Sequence, residues 1–222
     1  EMPEIGRISG ISDPESTFFV LNPDRKMSKL AKNFYSPEEY FEIEEAGHKG
    51  EYFHGEIFSM AGGTPDHNRI TVDLAGLLNS GFKNRDCEAF ASDLRVEVDK
   101  EKHYTYPDVA VVCGELEFAD RRKDTITNPI LIAEVLSDST EDYDRGTKFA
   151  LYRNIRSLRD YVLIDQKRVH IEHFFKDGGV WRLQEYFDLD ESLTLRSVGV
   201  EISVRDIYHR VSFIRIYGTE KI

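Results

Sequence analysis

Residues 106–114 read YPDVAVVCG, and residues 129–153 read PILIAEVLSDSTEDYDRGTKFALYR. Each apolar run carries one carboxylate. Asp108 stands directly ahead of Val109, Ala110, Val111 and Val112, and Glu134 follows Ile130, Leu131, Ile132 and Ala133. Both runs are short, rich in β-branched residues and bounded by Gly, Pro or polar residues, which predicts two buried strands. An ionised carboxylate in such a strand is costly unless something positive compensates it. Two at once point to a hard divalent cation with oxygen ligands, Mg²⁺ or Mn²⁺. The main-chain carbonyl of Val135 is the natural further ligand. Downstream, Asp144, Lys148 and Tyr152 recur at a spacing of four on one helix face, so an ammonium can reach the same place. The plainer alternatives are two strand-end carboxylates bonded to arginines and an Asp144–Lys148 surface pair.

The chain has 222 residues, 40% of them hydrophobic and 32% charged, which fits one globular domain with a sizeable core. No apolar run approaches the roughly 20 residues that span a bilayer, so no membrane partner is expected. The opening EMPEIGRISG lacks a charged-then-apolar leader pattern. The two cysteines do not make a disulfide framework. Cys113 closes an apolar strand and reads as a buried thiol, Cys87 has no obvious partner, and a reducing, cytoplasmic compartment is expected. The net charge of −12 argues against a protein that grips nucleic acid by charge alone. It leaves room for a nuclease whose acidic site is neutralised by metal.

Outward from the central stretch, residues 1–34 read as a loop-like extension, with Met27 a candidate start, and residues 212–222 as a tail. The domain is expected over residues 35–211. Ser36-Pro37-Glu38-Glu39 predicts a capped helix start. Residues 51–60 predict a hairpin turned at His54-Gly55, with Glu56 on its second arm. Thr64-Pro65 launches an amphipathic helix through about Lys83, with His67 and Arg69 in its first turn. Residues 87–98 alternate as a strand interrupted by Asp93, and residues 104–113 form its antiparallel partner. Residues 115–128 read as a solvent-exposed connection. After the Glu134 strand, residues 137–140 predict a helix cap, and the helix runs to about Asn154. Strands follow at 160–165, 169–175 and 180–187, then an extended piece at 193–204 and a short final helix. This order predicts the α/β or α+β class, a mixed central sheet flanked by helices.

Weaker candidates surround the main three. Glu56 is a possible third acidic ligand, His67 a phosphate contact or helix cap, and Asp93 a supporting acid. Tyr104 and Tyr106 flank Asp108 and could pack on sugar or base, and Tyr152 shares the face of Lys148. For each, a solvated, locally bonded or packed role is the plainer reading.

Taken together, SPEEY, GEIFSMAGGTPDHNRI, SDLRV, YPDVAVV, EVLSDST and DRGTKFALYRN…SLRDYVLID resemble the restriction-endonuclease family of the PD-(D/E)XK nuclease superfamily. The resemblance runs in order from Tyr35 to Val211. It implies a restriction-endonuclease-like core, Mg²⁺-dependent hydrolysis of DNA phosphodiesters, and a homodimer. Asp108 matches the Asp of the PD motif, Glu134 the following acid, and Glu56 an acidic position ahead of the first core helix. The superfamily lysine falls two residues after the second acid, on the same side of the strand. Here that slot holds Leu136, and Lys148 is the candidate for a lysine moved to the next helix. The expected activity is therefore a metal-dependent endonuclease. A hydrolase of RNA or small phosphoesters, and a non-catalytic binding module on the same fold, are the alternatives.

Overall fold

The computed structural model describes residues 34–60, 62–99, 103–120, 122–138 and 140–213. The expected extension over residues 1–33 and the tail from residue 214 lie outside them. Helix α1 (Pro37–Glu45) begins as its sequence dictates. The Ser36 hydroxyl accepts the Glu39 N–H and the Glu39 carboxylate accepts the Ser36 N–H, a complete capping box. The hairpin of β1 (Gly50–Phe53) and β2 (Glu56–Ser59) turns through His54 and Gly55, both at positive φ. Helix α2 (Pro65–Gly81) is capped by Thr64 and buries Ile70, Leu74 and Leu78.

The expected strand over 87–98 is two strands in two sheets. It divides at Ser92, at φ 59°, into β3 (Cys87–Ala91) and β4 (Arg95–Glu97). Its partner divides at Tyr106-Pro107-Asp108 into β5 (Tyr104–Thr105) and β6 (Val109–Cys113). Both antiparallel pairings survive, β3 with β6 and β4 with β5, so the two chains turn the corner together. Asp108 stands on that corner, outside the strand ladder, where its side chain is free for other work. The connection after β6 is not wholly exposed. It holds β7 (Thr125–Ile126), fully buried and parallel to β4, because Ile126 closes the apolar cluster around Val96.

The Glu134 run is β8 (Leu131–Leu136), buried at every position. The expected helix after it is α3 (Glu141–Tyr143), a π turn (Asp144–Lys148) and α4 (Phe149–Tyr152). Thr140 precedes α3 without the expected side-chain cap, its hydroxyl lying 3.0 Å from that of Ser137. Next come β9 (Asp160–Asp165), β10 (Ile171–Asp177) and β11 (Val180–Tyr186), the last two joined through Gly178 and Gly179 at positive φ. The piece at 193–204 is a hairpin, β12 (Ser192–Leu195) and β13 (Val200–Ser203), followed by α5 (Val204–Ile207).

The fold is α+β, built on mixed sheets. A five-stranded sheet runs β2-β1-β5-β4-β7, and a six-stranded sheet runs β11-β10-β9-β8-β6-β3, parallel only between β8 and β9. Strand alternation sorts β8 into two cores. Leu131, Ala133 and Val135 pack with α2 and α5, while Ile132 and Leu136 pack with Leu151 and Tyr152. Glu134 therefore points toward the helical run that carries Lys148. Cys87 and Cys113 are directly opposite across β3 and β6 and form a disulfide. Cys113 is thus disulfide-bonded and not the expected buried thiol, and Cys87 has the partner its sequence context did not show, because the register that joins them is set 26 residues apart. No helix among the described residues is long and apolar enough to cross a membrane.

Candidate active site

The corner at Asp108 meets the end of β8 through two reciprocal backbone contacts. The Asp108 N–H donates to Oε2 of Glu134 at 3.2 Å, and the Val135 N–H donates to Oδ2 of Asp108 at 2.8 Å. The ladder between β6 and β8 ends at Val109 and Ala133, which leaves these groups to bond each other. In a strand the N–H and C=O of one residue leave on the same side, so the Val135 carbonyl also faces the Asp108 side. His67, in the first turn of α2, places Nε2 3.2 Å from Oδ2 of Asp108.

On the other face, Oε1 of Glu134 accepts the Tyr152 hydroxyl at 2.9 Å and lies 2.9 Å from Nζ of Lys148. The Tyr152 oxygen is also 3.0 Å from the Thr105 hydroxyl. Lys148 lies 2.9 Å from Oε1 of Glu51 and 3.6 Å from Oδ1 of Asp144. It reaches inward from the π turn, a local widening common at functional sites. Oε1 of Glu51 accepts the Tyr106 N–H at 3.2 Å, while its Oε2 is buried with no hydrogen-bond partner among the described residues.

Asp108, Glu134, Val135, Lys148, Glu51 and His67 line one cavity of about 120 Å³, together with Thr64, Tyr143 and Gln166, while Tyr152 bonds Glu134 from behind its lining. Gln166 spans the site's wall: its amide donates to the Leu136 carbonyl at 2.6 Å and its oxygen accepts the Thr64 hydroxyl. That bond ties the start of α2, and so His67, to the ends of β8 and β9.

The electrostatics follow from crowding several acids around one base. Burial works to lower the Lys148 pKa, but Glu134 and Glu51 outweigh it and hold the ammonium well above its usual range. Burial pushes the Glu134 carboxyl up to about 8 against the pull of Lys148, with Asp108 adding to the rise. Asp144 is raised by burial in the same way. Burial, then Glu134, keeps the Tyr152 phenol protonated as a donor. Four carboxyl groups thus crowd one ammonium, and with Glu134 raised to about 8 a retained proton limits the negative charge when no cation is bound.

A hard cation in the cavity would take the place of that proton, and the orphaned Oε2 of Glu51 would accept from its water. Among the described residues no three His, Cys, Asp or Glu side chains converge on one metal position. The residues that would hold such a cation are Asp108 and Glu134, with the Val135 carbonyl. Sites that keep water in the coordination shell are the habit of Mg²⁺.

The structure thus brings Asp108, Glu134, Lys148, Val135, His67, Tyr106 and Tyr152 together. It does not bring Glu56, Asp93 or Tyr104. Glu56 opens β2 opposite Phe53 at the hairpin turn, and it does not line the cavity. Glu51 occupies the position expected of it. Both acids share a hairpin face, but β1 is the inner strand, paired to β5, and β2 is the sheet edge. Asp93 is exposed and bonded to Lys49 at 2.6 Å. Tyr104 is buried in an aromatic cluster, stacked on Tyr40 with ring centres 5.5 Å apart. Tyr106 contributes its backbone N–H, while its hydroxyl bonds Glu44 and Arg95. Sequence reasoning missed Glu51 and Gln166. No local signal marks Glu51, because only the pairing of β1 with β5 sets it on the inner strand.

The site can be set beside known proteins. A family model described as "Uma2: Putative restriction endonuclease" matches residues 37–205. Two proteins of Synechocystis sp. are similar along most of their lengths. "Uncharacterized protein slr1290" is 41% identical over 182 residues, covering 80% of this chain and 93% of that protein. "Uncharacterized protein sll1609" is 43% identical over 149 residues, covering 66% of this chain and 84% of that protein. Among solved structures, one described as "a putative nuclease belonging to DUF820 from Anabaena variabilis" has a similar fold. Its TM-score is 0.65 at 18% identity, covering 78% of this chain and 96% of that one. The chain belongs to the Uma2 family, the family described as "Putative restriction endonuclease".

Proposed function

We propose that the cavity is the active site of a metal-dependent endonuclease that hydrolyses DNA phosphodiester bonds. The observation that carries this reading is the position of Lys148, 2.9 Å from Glu134 in a cavity that Asp108 also lines. Asp108, Glu134 and the Val135 carbonyl would hold Mg²⁺ or Mn²⁺. A bound divalent cation supplies Lewis-acid polarisation of the phosphoester and acidifies water. The Val135 N–H fixes the orientation of Asp108, and the Tyr152 hydroxyl fixes that of Glu134. Lys148 orients the attacking water and stabilises the negative charge that develops at phosphorus. Glu51 holds Lys148 in place from the opposite side. His67, which lines the same cavity, would contact a phosphate oxygen of the substrate. Two copies of the chain would set two such cavities against the two strands of a duplex.

The test is incubation of the purified chain with supercoiled plasmid and Mg²⁺, beside single-stranded DNA, RNA and nucleotide monoester arms. Nicking by the parent, reduced at least a hundredfold in Asp108→Ala and Glu134→Ala, is the expected result. Cleavage by both variants at the parental rate would sink the assignment, and cleavage confined to RNA or the monoester would correct the substrate.

A further inference from the structure

A second concave site lies at the other end of β8 and β9. It is a cavity of about 410 Å³ lined by Arg159, Lys176, Arg196, Asp160, Asp177 and Ser197, with Ile130 and Phe175 as its apolar wall. Ile130 and Asp160 stand at the starts of the two parallel strands, whereas Val135 and Gln166 of the candidate active site stand at their ends. Along β9 that separation is roughly 20 Å at about 3.3 Å per residue.

Three cations line this cavity in a chain of net charge −12. None of the three is ion-paired among the described residues. Nη1 of Arg159 donates to the Arg156 and Leu158 carbonyls, Lys176 sits 5.9 Å from the Trp181 ring centre, and Arg196 has no carboxylate contact. The two acids of the cavity are already engaged. The oxygens of Asp160 are taken by His173, at 2.6 Å, and by the Ser197 hydroxyl. Asp177 accepts from Arg182 at 2.9 Å. Three cations against two carboxylates leave the cavity a surplus of positive charge, with N–H donors on Arg196 and Lys176 open to a ligand.

We infer that this cavity binds a phosphate group, through Arg159, Lys176 and Arg196. Two guanidinium groups and an ammonium match the several acceptor oxygens of a phosphate. The phosphate can be a free anion or a phosphodiester of a nucleic-acid backbone, since the recognising chemistry is the same. The inference does not rest on the nuclease reading, because the two sites share no residue.

Trp181 is the chain's only tryptophan and lies against Lys176, so it reports locally. The full chain is titrated with inorganic phosphate at constant ionic strength set by NaCl, following Trp181 fluorescence and, in parallel, heat. A short oligonucleotide in EDTA forms the second arm. Lys176→Gln and Arg196→Gln are the variants, chosen because neither side chain bonds the core. A saturable response is expected, with half-saturation raised about tenfold or more in each variant. A variant-sensitive response to the oligonucleotide assigns the site to backbone phosphate, and one to inorganic phosphate alone assigns it to the free anion. No saturable response by either readout in either arm, or a response equal in parent and variants, overturns the inference.

Discussion

Lys148 meets Glu134 across 2.9 Å although the two come from different elements, a π turn and a strand. The slot where the superfamily carries its lysine holds Leu136, which packs into the apolar cluster with Tyr152. The proposed hydrolysis needs an ammonium near the water, and its point of origin in the chain is immaterial to that chemistry. The contact also makes Lys148 structural, because it partly neutralises buried acids.

Removing that ammonium leaves Glu134 and Glu51 buried without their cation. Lys148→Gln is expected to lower folding stability by about 3–5 kcal/mol, the usual cost of breaking a buried pair from one side. Urea unfolding monitored by circular dichroism measures it. Mg²⁺ or Mn²⁺ should restore part of the loss, because a cation relieves the same acids.

Glu134 gives the metal-free protein a pH dependence of known sign. Its folded pKa, near 8, is above the ordinary 4.5, so the folded state retains a proton that the unfolded state releases. The stability this contributes is full below about pH 4.5 and declines as pH rises toward 8. The parent should therefore lose stability relative to Glu134→Gln between pH 5 and pH 8 in EDTA. A difference that stays flat or grows over that interval contradicts the assignment of the shift.

The two hairpin acids separate cleanly. Glu51→Gln is expected to reduce plasmid cleavage by at least tenfold, since it weakens the hold on Lys148. Glu56→Gln should leave the rate within about twofold. Initial nicking rates at saturating Mg²⁺ decide between them.

Tyr152→Phe keeps the ring and its packing against Tyr161 but removes the hydroxyl from Glu134. A loss of about 1–3 kcal/mol in stability is expected, the cost of leaving a buried acceptor short of a donor. The circular dichroism spectrum should be unchanged, and a higher Mg²⁺ concentration should be needed for half-maximal cleavage.

The main acids and the lysine were legible because each breaks a local rule. Asp108 and Glu134 interrupt apolar strands, and Lys148 shares a spacing of four with Asp144 and Tyr152. The hairpins and capped helices were legible from their turn and cap residues, such as His54-Gly55 and Ser36 with Glu39. Glu51 was not, since nothing local distinguishes it from Glu56. Only the pairing of β1 with β5 turns it inward, and that is a long-range fact. The sheet switch at Ser92 and at Asp108 was hidden for the same reason: alternation continues through a corner that only tertiary packing reveals. Arg159, Lys176 and Arg196 are scattered in sequence and meet only in the folded chain.

Asp108 and Glu134 are proposed to hold one divalent cation beside Lys148. Calorimetric titration of the parent with Mn²⁺, in parallel with Asp108→Asn and Glu134→Gln, tests it most directly. The parent should take up one cation, and both variants should lose that uptake while their folded spectra persist. No uptake by the parent, or undiminished uptake by the two variants, would contradict it.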